Sequence, residues 1–185
     1  MNIWIIGTLI LSLISPISYT KSMLLGKSKP HRVTRIIVWL ASIAGILGVL
    51  QNANLAGQVF ALIFFARATY LLIMSFIYGV GGATKLDKTC LVIGVLALVL
   101  YFITGSGLVA VLFGILADVI GYIPTFVKTY HDPSSEDPTF FTIEGFAALF
   151  GVIAVGSLQV GILFPVYFVI CSFTVVFLIY RKKFL

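Results

Sequence analysis

Two charged residues lie deep inside long apolar segments and are the first candidates for chemistry. Asp118 and Arg67 each have roughly ten apolar-dominated residues on either side, about 15 Å of helix. Inside a membrane, an ionised side chain at that depth costs at least ~3 kcal/mol, so it normally faces a charged partner or a water-filled cavity. Because the two residues have opposite signs, one hypothesis is a static Arg67–Asp118 ion pair that holds the fold together. The other is a substrate-binding or proton-carrying role for Asp118.

The helical faces around these two charges differ in character. Asp118 shares a helical face with four small or polar residues at spacings of three, four and seven, as is typical of a cavity wall; they are Gly114, Gly121, Tyr122 and Thr125. The corresponding face around Arg67 is bulkier and more apolar; it comprises Phe60, Phe64, Tyr70 and Met74. We therefore include the hydroxyl groups of Tyr122 and Tyr70 in the candidate site.

A second polar stripe runs along the first apolar segment. Thr8, Ser12, Ser15 and Tyr19 recur at intervals of four, three and four residues, which places them on one helical face. Such hydroxyl groups often just bond the carbonyl one turn earlier or a neighbouring helix. They could instead line a solute path between the first and fifth segments, which makes Ser12 and Ser15 candidate site residues.

Two prolines and one glutamate are candidates for gating. A proline inside a helix removes a backbone hydrogen bond and clashes with the preceding turn, so Pro16 and Pro124 could act as a pair of hinges. The alternative is that they end their helices beside the loops. Glu144 follows Asp137 and Pro138 at the start of the sixth apolar segment. It either stabilises the start of a helix through the helix dipole or pairs, as a gate, with a basic residue of the first loop.

The composition predicts the elements that must position these residues. The chain is 61% hydrophobic and 10% charged, with a mean hydropathy of +1.16, so a soluble domain could not cover its apolar side chains. None of the apolar runs alternates as barrel strands do, and a helix crosses a bilayer in roughly 20 residues. We predict an all-α membrane protein with the lipid bilayer as its partner. Its seven transmembrane helices cover residues 3–19, 33–50, 55–78, 89–103, 108–127, 140–158 and 160–180.

The basic residues predict the orientation. All of them except Arg67 fall in the loops after the first, third and fifth segments or in the C-terminal tail, and the other loops contain no Lys or Arg. The positive-inside rule then places the N-terminus outside and the C-terminus in the cytoplasm. The net charge of +6 is explained by this placement and by attraction to anionic lipid headgroups, so it does not indicate nucleic-acid binding.

The chain also shows signs of an internal repeat. Residues 6–48 and 114–156 align at a constant offset of 108, which pairs Pro16 with Pro124 and Pro30 with Pro138. Two copies separated by one extra helix enter the membrane in the same sense, as parallel repeats. The predicted organisation is a first three-helix repeat in residues 1–80, a linker helix in 81–106 and a second repeat in 107–185.

Two short motifs resemble a known transporter group. Residues 13–30 (LISPISYTKSMLLGKSKP) and 121–128 (GYIPTFVK) resemble the SWEET and PQ-loop (MtN3-like) superfamily. The resemblance implies the same three-one-three layout, small-solute transport by alternating access, and hinges at Pro16 and Pro124. It also implies that Asp118 matches an aspartate that couples transport to protons in some relatives. The resemblance does not extend to the glutamine after each proline, where Ile17 and Thr125 stand, or to the asparagines of the sugar site.

We therefore predict a transporter of a small polar solute in the plasma membrane. Its alternatives are a non-transporting receptor or assembly factor of the same architecture, and a different transporter class such as vitamin-precursor carriers. The two cysteines, Cys90 and Cys171, match no metal spacing, and no phosphate-binding loop or nucleophile motif is present. We expect no enzyme activity, cofactor or metal, and the sequence leaves the oligomeric state open.

Overall fold

The computed structural model describes residues 3–52, 55–80, 84–156 and 160–181. Within these ranges the chain is helical, with an isolated bridge between His31 and Val80. The α-helices are α1 (Ile3–Leu24), α2 (Arg32–Asn52), α3 (Leu55–Tyr78), α4 (Lys85–Thr104), α5 (Gly107–His131), α6 (Pro138–Val155) and α7 (Val160–Tyr180). A short 3-10 turn (Pro133–Ser135) connects α5 to α6. The prediction of an all-α fold is confirmed.

Six of these helices, α1, α2, α3, α5, α6 and α7, are long and apolar enough to cross a membrane, as judged over the described residues. An integral membrane protein is therefore indicated. The remaining helix, α4, has the charged residues Lys85, Asp87 and Lys88 in its first turn, which shortens its apolar part to residues 89–104. A seventh crossing by α4 stays a prediction.

Local sequence explains where the helices of the second half begin and end. Ser106 caps α5 by accepting a hydrogen bond from the Val109 backbone N–H. Asp137 does the same for α6, and Pro138 occupies the first turn, where its missing N–H costs nothing. Gly156 ends α6 with a left-handed φ of 65°, a conformation that glycine adopts without strain. These caps fix the length of the helices that carry the central charges.

The packing of the helices follows a regular pattern. Helix α3 lies between α1 and α2, and α7 lies between α5 and α6. Between the two groups, α1 packs on α6 and α2 packs on α5. The two groups of helices therefore pack in equivalent ways: when α1 is matched with α5, α2 with α6 and α3 with α7, each pair of helices that touch has an equivalent pair that also touch. Over the described residues, α1 contacts neither α2 nor α5.

Helices α1, α3, α5 and α7 all end at the same end of the bundle. We call it the basic end, because Lys21, Lys29, Lys128 and Arg181 lie there. Hydrogen bonds connect the segments at this end: the Lys128 Nζ donates to the Lys29 carbonyl at 3.0 Å, and Arg181 donates to the Tyr130 carbonyl. The two three-helix groups therefore run in the same direction.

A tight junction at the basic end joins the start of α2 to the end of α3. The Arg32 N–H donates to the Val80 carbonyl at 2.9 Å, and the Val80 N–H donates to the Pro30 carbonyl at 3.0 Å. Gly79 lies so close that a Cβ there would be 2.7 Å from the Pro30 oxygen and 2.2 Å from the Ser75 oxygen. Both contacts are to backbone atoms, which cannot rotate away.

Gly79→Ala should therefore force the two segments apart and lower the free energy of unfolding by about 1–3 kcal/mol. Thermal unfolding of the detergent-purified protein measures this. Val80→Ala is the control, because it shortens the adjacent side chain and keeps both backbone bonds. Equal melting temperatures for Gly79→Ala and Val80→Ala would contradict the assigned junction.

Candidate functional site

A buried ion pair lies where α1, α3 and α6 meet. The Arg67 guanidinium pairs with Oε2 of Glu144, and the Ser15 hydroxyl donates to Oε1 of the same carboxylate. Glu144 is 2% exposed and Arg67 is 9% exposed. This pair joins three helices of the bundle through one carboxylate, so the removal of either charge would leave the other buried and unneutralised.

The ion pair corrects two expectations. The hypothesis of an Arg67–Asp118 pair is wrong, because Arg67 pairs with Glu144 and the Asp118 carboxylate accepts a hydrogen bond from Tyr167 instead. Glu144 lies beyond the first turn of α6, which starts at Pro138, and it faces α1 and α3. It therefore neither stabilises the first turn nor pairs with a basic residue of the first loop.

Asp118 lies in the interior of the bundle, between α5 and α7. It is 1% exposed, and the Tyr167 hydroxyl donates to its Oδ2 atom. Its Oδ1 atom is buried without a hydrogen-bond partner. An acceptor in this position can take a proton or a donor group from a bound molecule, so the structure retains Asp118 as a candidate functional residue.

A second arginine, Arg35 of α2, is buried near the basic end and was not predicted. It is 7% exposed, and its guanidinium carbon lies 5.2 Å from the centre of the Tyr19 ring and 6.0 Å from that of Phe140. By its position in the sequence, Arg35 belongs with the basic loop residues that predict the orientation. The feature of the sequence that could have indicated its burial is the apolar run that begins at the next residue, Ile36.

Both arginines line one enclosed cavity at the centre of the bundle. Its volume is about 10 Å³, close to the space of a single water molecule. Five helices contribute to its wall, and the residues that matter most for its chemistry are Arg35, Phe64, Arg67, Tyr122, Glu144 and Phe168. Three predicted site residues, Arg67, Tyr122 and Glu144, are thus brought together. Ser15 adjoins them through its bond to Glu144.

Comparison of the chain with protein-family models, with curated proteins and with solved structures found no match. The SWEET and PQ-loop resemblance therefore stays a prediction, and the functional argument depends on the geometry. Within the part of the chain that the structure describes, no three His, Cys, Asp or Glu side chains are grouped as metal ligands.

Three further predicted site residues lie on a groove between α1 and α3, which we call the α1–α3 groove; they are Ser12, Pro16 and Tyr70. Its volume is about 410 Å³, and Ser12, Pro16, Arg67 and Tyr70 line it together with apolar side chains. The groove opens towards the outer surface of the bundle, where Leu13 and Ile17 are exposed. Ser12 and Tyr70 are therefore separated from the central cavity, and Arg67 adjoins both spaces.

Both predicted hinge prolines lie inside helices. Helix α1 continues past Pro16 to Leu24, and α5 continues past Pro124 to His131. The alternative that these prolines end their helices is therefore wrong. The Thr20 hydroxyl donates to the Pro16 carbonyl at 2.7 Å and lies 2.5 Å from the Tyr70 hydroxyl, so α3 contacts α1 directly beyond the proline.

A network of side chains holds the basic end closed. Glu136, in the loop before α6, is buried; its Oε1 pairs with the Lys128 Nζ at 2.7 Å, and its Oε2 accepts from the Tyr19 hydroxyl at 2.8 Å. Ser18 donates to the neighbouring Asp137 at 2.7 Å. We call these five residues the closure network. The sequence does not predict this network, because Glu136 and Asp137 lie in a loop whose position no sequence pattern indicates.

Proposed function

We propose that this protein is a membrane transporter that moves a small polar solute by alternating access between two three-helix units. The units are α1–α3 and α5–α7, with α4 as their linker. The observation that carries the proposal is the enclosed central cavity whose wall contains Arg35, Arg67 and Glu144. Charged groups are costly in a membrane bundle, and such groups around an enclosed space are typical of a solute site.

The arrangement of the helices supports a two-unit mechanism. The exchange of the units preserves every helix contact between and within them, and both units run in the same direction. Two similar units around a central site can rock against each other and so expose the site to one side at a time. Pro16 and Pro124 lie inside α1 and α5, one in each unit, where a weakened helix would allow bending.

The positions of the charges supply the proposed orientation. By the positive-inside rule the basic end faces the cytoplasm and the N-terminus lies outside. The proposed location is the plasma membrane. The closure network would then seal the cytoplasmic end of the path. The structure would correspond to a state in which the cavity is shut from that side.

Uptake into proteoliposomes tests the proposal. The purified protein is reconstituted and supplied with labelled sugars, amino acids, organic anions and vitamin precursors, with and without an inward-directed proton gradient. We expect uptake of at least one class above that of protein-free vesicles. If Asp118 carries a proton, Asp118→Asn should reduce gradient-driven uptake to the rate seen without a gradient.

Tyr167→Phe is the matched control for Asp118→Asn, because it removes the hydrogen bond to Oδ2 and keeps the carboxylate. It should retain a response to the proton gradient. A gradient response that survives in Asp118→Asn would contradict proton coupling through Asp118. No uptake of any solute by a folded, reconstituted protein would instead favour a non-transporting receptor or assembly factor, in which the Arg67–Glu144 pair locks the helices together.

A further inference from the structure

We propose that the solute is a small carboxylate anion and that Arg35 is the residue that recognises it. This inference rests on the proposed transport function and adds the chemical class of the solute.

The wall of the central cavity contains two arginines, Arg35 and Arg67, and one carboxylate, Glu144, so its positive charge exceeds its negative charge by one. The charge of Arg67 is neutralised by Glu144, and that of Lys128 is neutralised by Glu136. Among the carboxylates that the structure describes, none forms an ion pair with Arg35. Asp118, a further carboxylate buried within the helices, does not line this cavity and accepts a hydrogen bond from Tyr167. The wall itself therefore holds one guanidinium without a counter-ion, which suits a guest with a single negative charge.

The surroundings of Arg35 hold the charge in place without neutralising it. Tyr19 and Phe140 stack with their ring centres 4.4 Å apart, and the guanidinium lies over both rings. Cation–π contacts of this kind compensate part of the loss of hydration, but they leave the net charge unchanged. A guanidinium offers a planar fork of donors that matches the two oxygens of a carboxylate.

The apolar part of the cavity wall would contact the carbon atoms of the solute. Val38, Phe64, Leu71 and Phe168 are apolar side chains around the same cavity. A short organic acid could place its carboxylate at Arg35 and its carbon atoms against these side chains. Doubly charged phosphate fits less well, because it would bring one more negative charge than the wall can neutralise.

Arg35 also adjoins the closure network. It stacks on the ring of Tyr19, and the hydroxyl group of that ring is held by Glu136. An anion bound to Arg35 would change the contacts of this tyrosine. Tyr19 would thus couple recognition of the solute at Arg35 to opening of the basic end.

Uptake of charge-matched solutes tests the inference. Proteoliposomes are supplied with labelled lactate, with lactamide (its neutral amide) and with choline, and protein-free vesicles give the passive rate. The wild type should take up lactate about tenfold faster than lactamide, with choline at the passive rate. Unlabelled acetate should inhibit lactate uptake more strongly than phosphate does.

Variants at Arg35 assign the effect to this residue. Arg35→Gln should lower lactate uptake about ten- to a hundredfold, because a charge-assisted hydrogen bond is lost. Arg35→Lys keeps the charge and should retain part of the uptake. Arg32→Gln is the matched control: its Nε donates to the Ser75 carbonyl at 3.2 Å, outside the cavity, and its uptake should stay near that of the wild type.

The outcomes separate the inference from the proposed function. Uptake of lactamide or choline with lactate excluded would overturn the carboxylate assignment and leave the transporter in place, and so would equal inhibition by phosphate and acetate. Wild-type lactate uptake in Arg35→Gln would overturn the role of Arg35. No uptake of any solute by the folded wild type would overturn the proposed function and the inference with it. Size-exclusion elution verifies folding, and a rise in the wild-type melting temperature with lactate provides a second readout of binding.

Discussion

Glu144→Ala is expected to lower the free energy of unfolding by about 3–5 kcal/mol, because it leaves the Arg67 guanidinium buried without its counter-ion. The Glu144 carboxylate also accepts the hydrogen bond from Ser15, so α1, α3 and α6 all lose a contact. The melting temperature of the detergent-purified protein, followed by size-exclusion elution after heating, measures the loss. Arg67→Met should cost a similar amount, since it leaves the carboxylate unpaired.

The double variant Arg67→Met/Glu144→Leu distinguishes the effect of the two charges on stability from the effect of side-chain packing. Replacement of both members of a buried pair by apolar residues of similar size is often neutral or stabilising, so we expect a melting temperature near that of the wild type. Transport should nevertheless be lost, because the cavity wall would have lost its paired charges. Lys21→Ala, at an exposed position near the end of α1, is the control and should change stability little. A Glu144→Ala protein as stable as the wild type would show that the pair does not hold the bundle.

The sequence predicts most of the helices, but it predicts the residues at which they end less accurately. Six of the seven predicted apolar segments correspond to helices suited to span a membrane. Helices α1 and α5 extend further than predicted, to Leu24 and His131. The apolar runs end earlier because Lys21 and Lys128 follow them, but a helix does not end where its hydrophobic stretch ends. Hydropathy reports the environment of a segment, whereas capping groups and tertiary contacts determine its length.

The depth of the central charges was predicted, but the partner of Arg67 was not. Hydropathy places Arg67 and Asp118 far from the helix ends, and both are indeed buried. Their pairing depends on which helices are neighbours, and periodicity within one helix contains no information on that. Helix α3 packs against α6, so Arg67 finds Glu144, and Asp118 instead accepts a hydrogen bond from Tyr167.

The residues that the sequence analysis missed share one property. Arg35, Glu136 and Asp137 lie at the borders of apolar segments, where charged residues are usually solvated. Glu136 and Asp137 are buried because they bond Tyr19 and Ser18 of α1, and Arg35 is buried because the rings of Tyr19 and Phe140 lie against it. The proline repeat at the 108-residue offset predicts the two units, yet it does not show that the loop between α5 and α6 contacts α1 at the basic end.

The closure network makes a specific prediction about access to the cavity. Glu136→Ala removes the ion pair to Lys128 and the hydrogen bond from Tyr19 together. A hydrogen bond to a charged group is worth about 1.5–3 kcal/mol, so the loss should raise the population of states open at the basic end about ten- to a hundredfold. The stability of the fold should change less than with Glu144→Ala, because the loop lies at the end of the bundle.

Thiol labelling measures this opening. A cysteine is placed at Val38, which is buried on the cavity wall, in a chain whose two native cysteines are replaced (Cys90→Ser and Cys171→Ala). Membrane-impermeant maleimide is applied to vesicles with the basic end outward, and Glu136→Ala should speed the labelling of Val38→Cys about tenfold or more. Ser134→Ala is the control, because its hydroxyl bonds Asp132 within the same loop. Because Glu136 contacts both α1 and α5, it can hold the two units together at this end, and an unchanged labelling rate in Glu136→Ala would contradict that role.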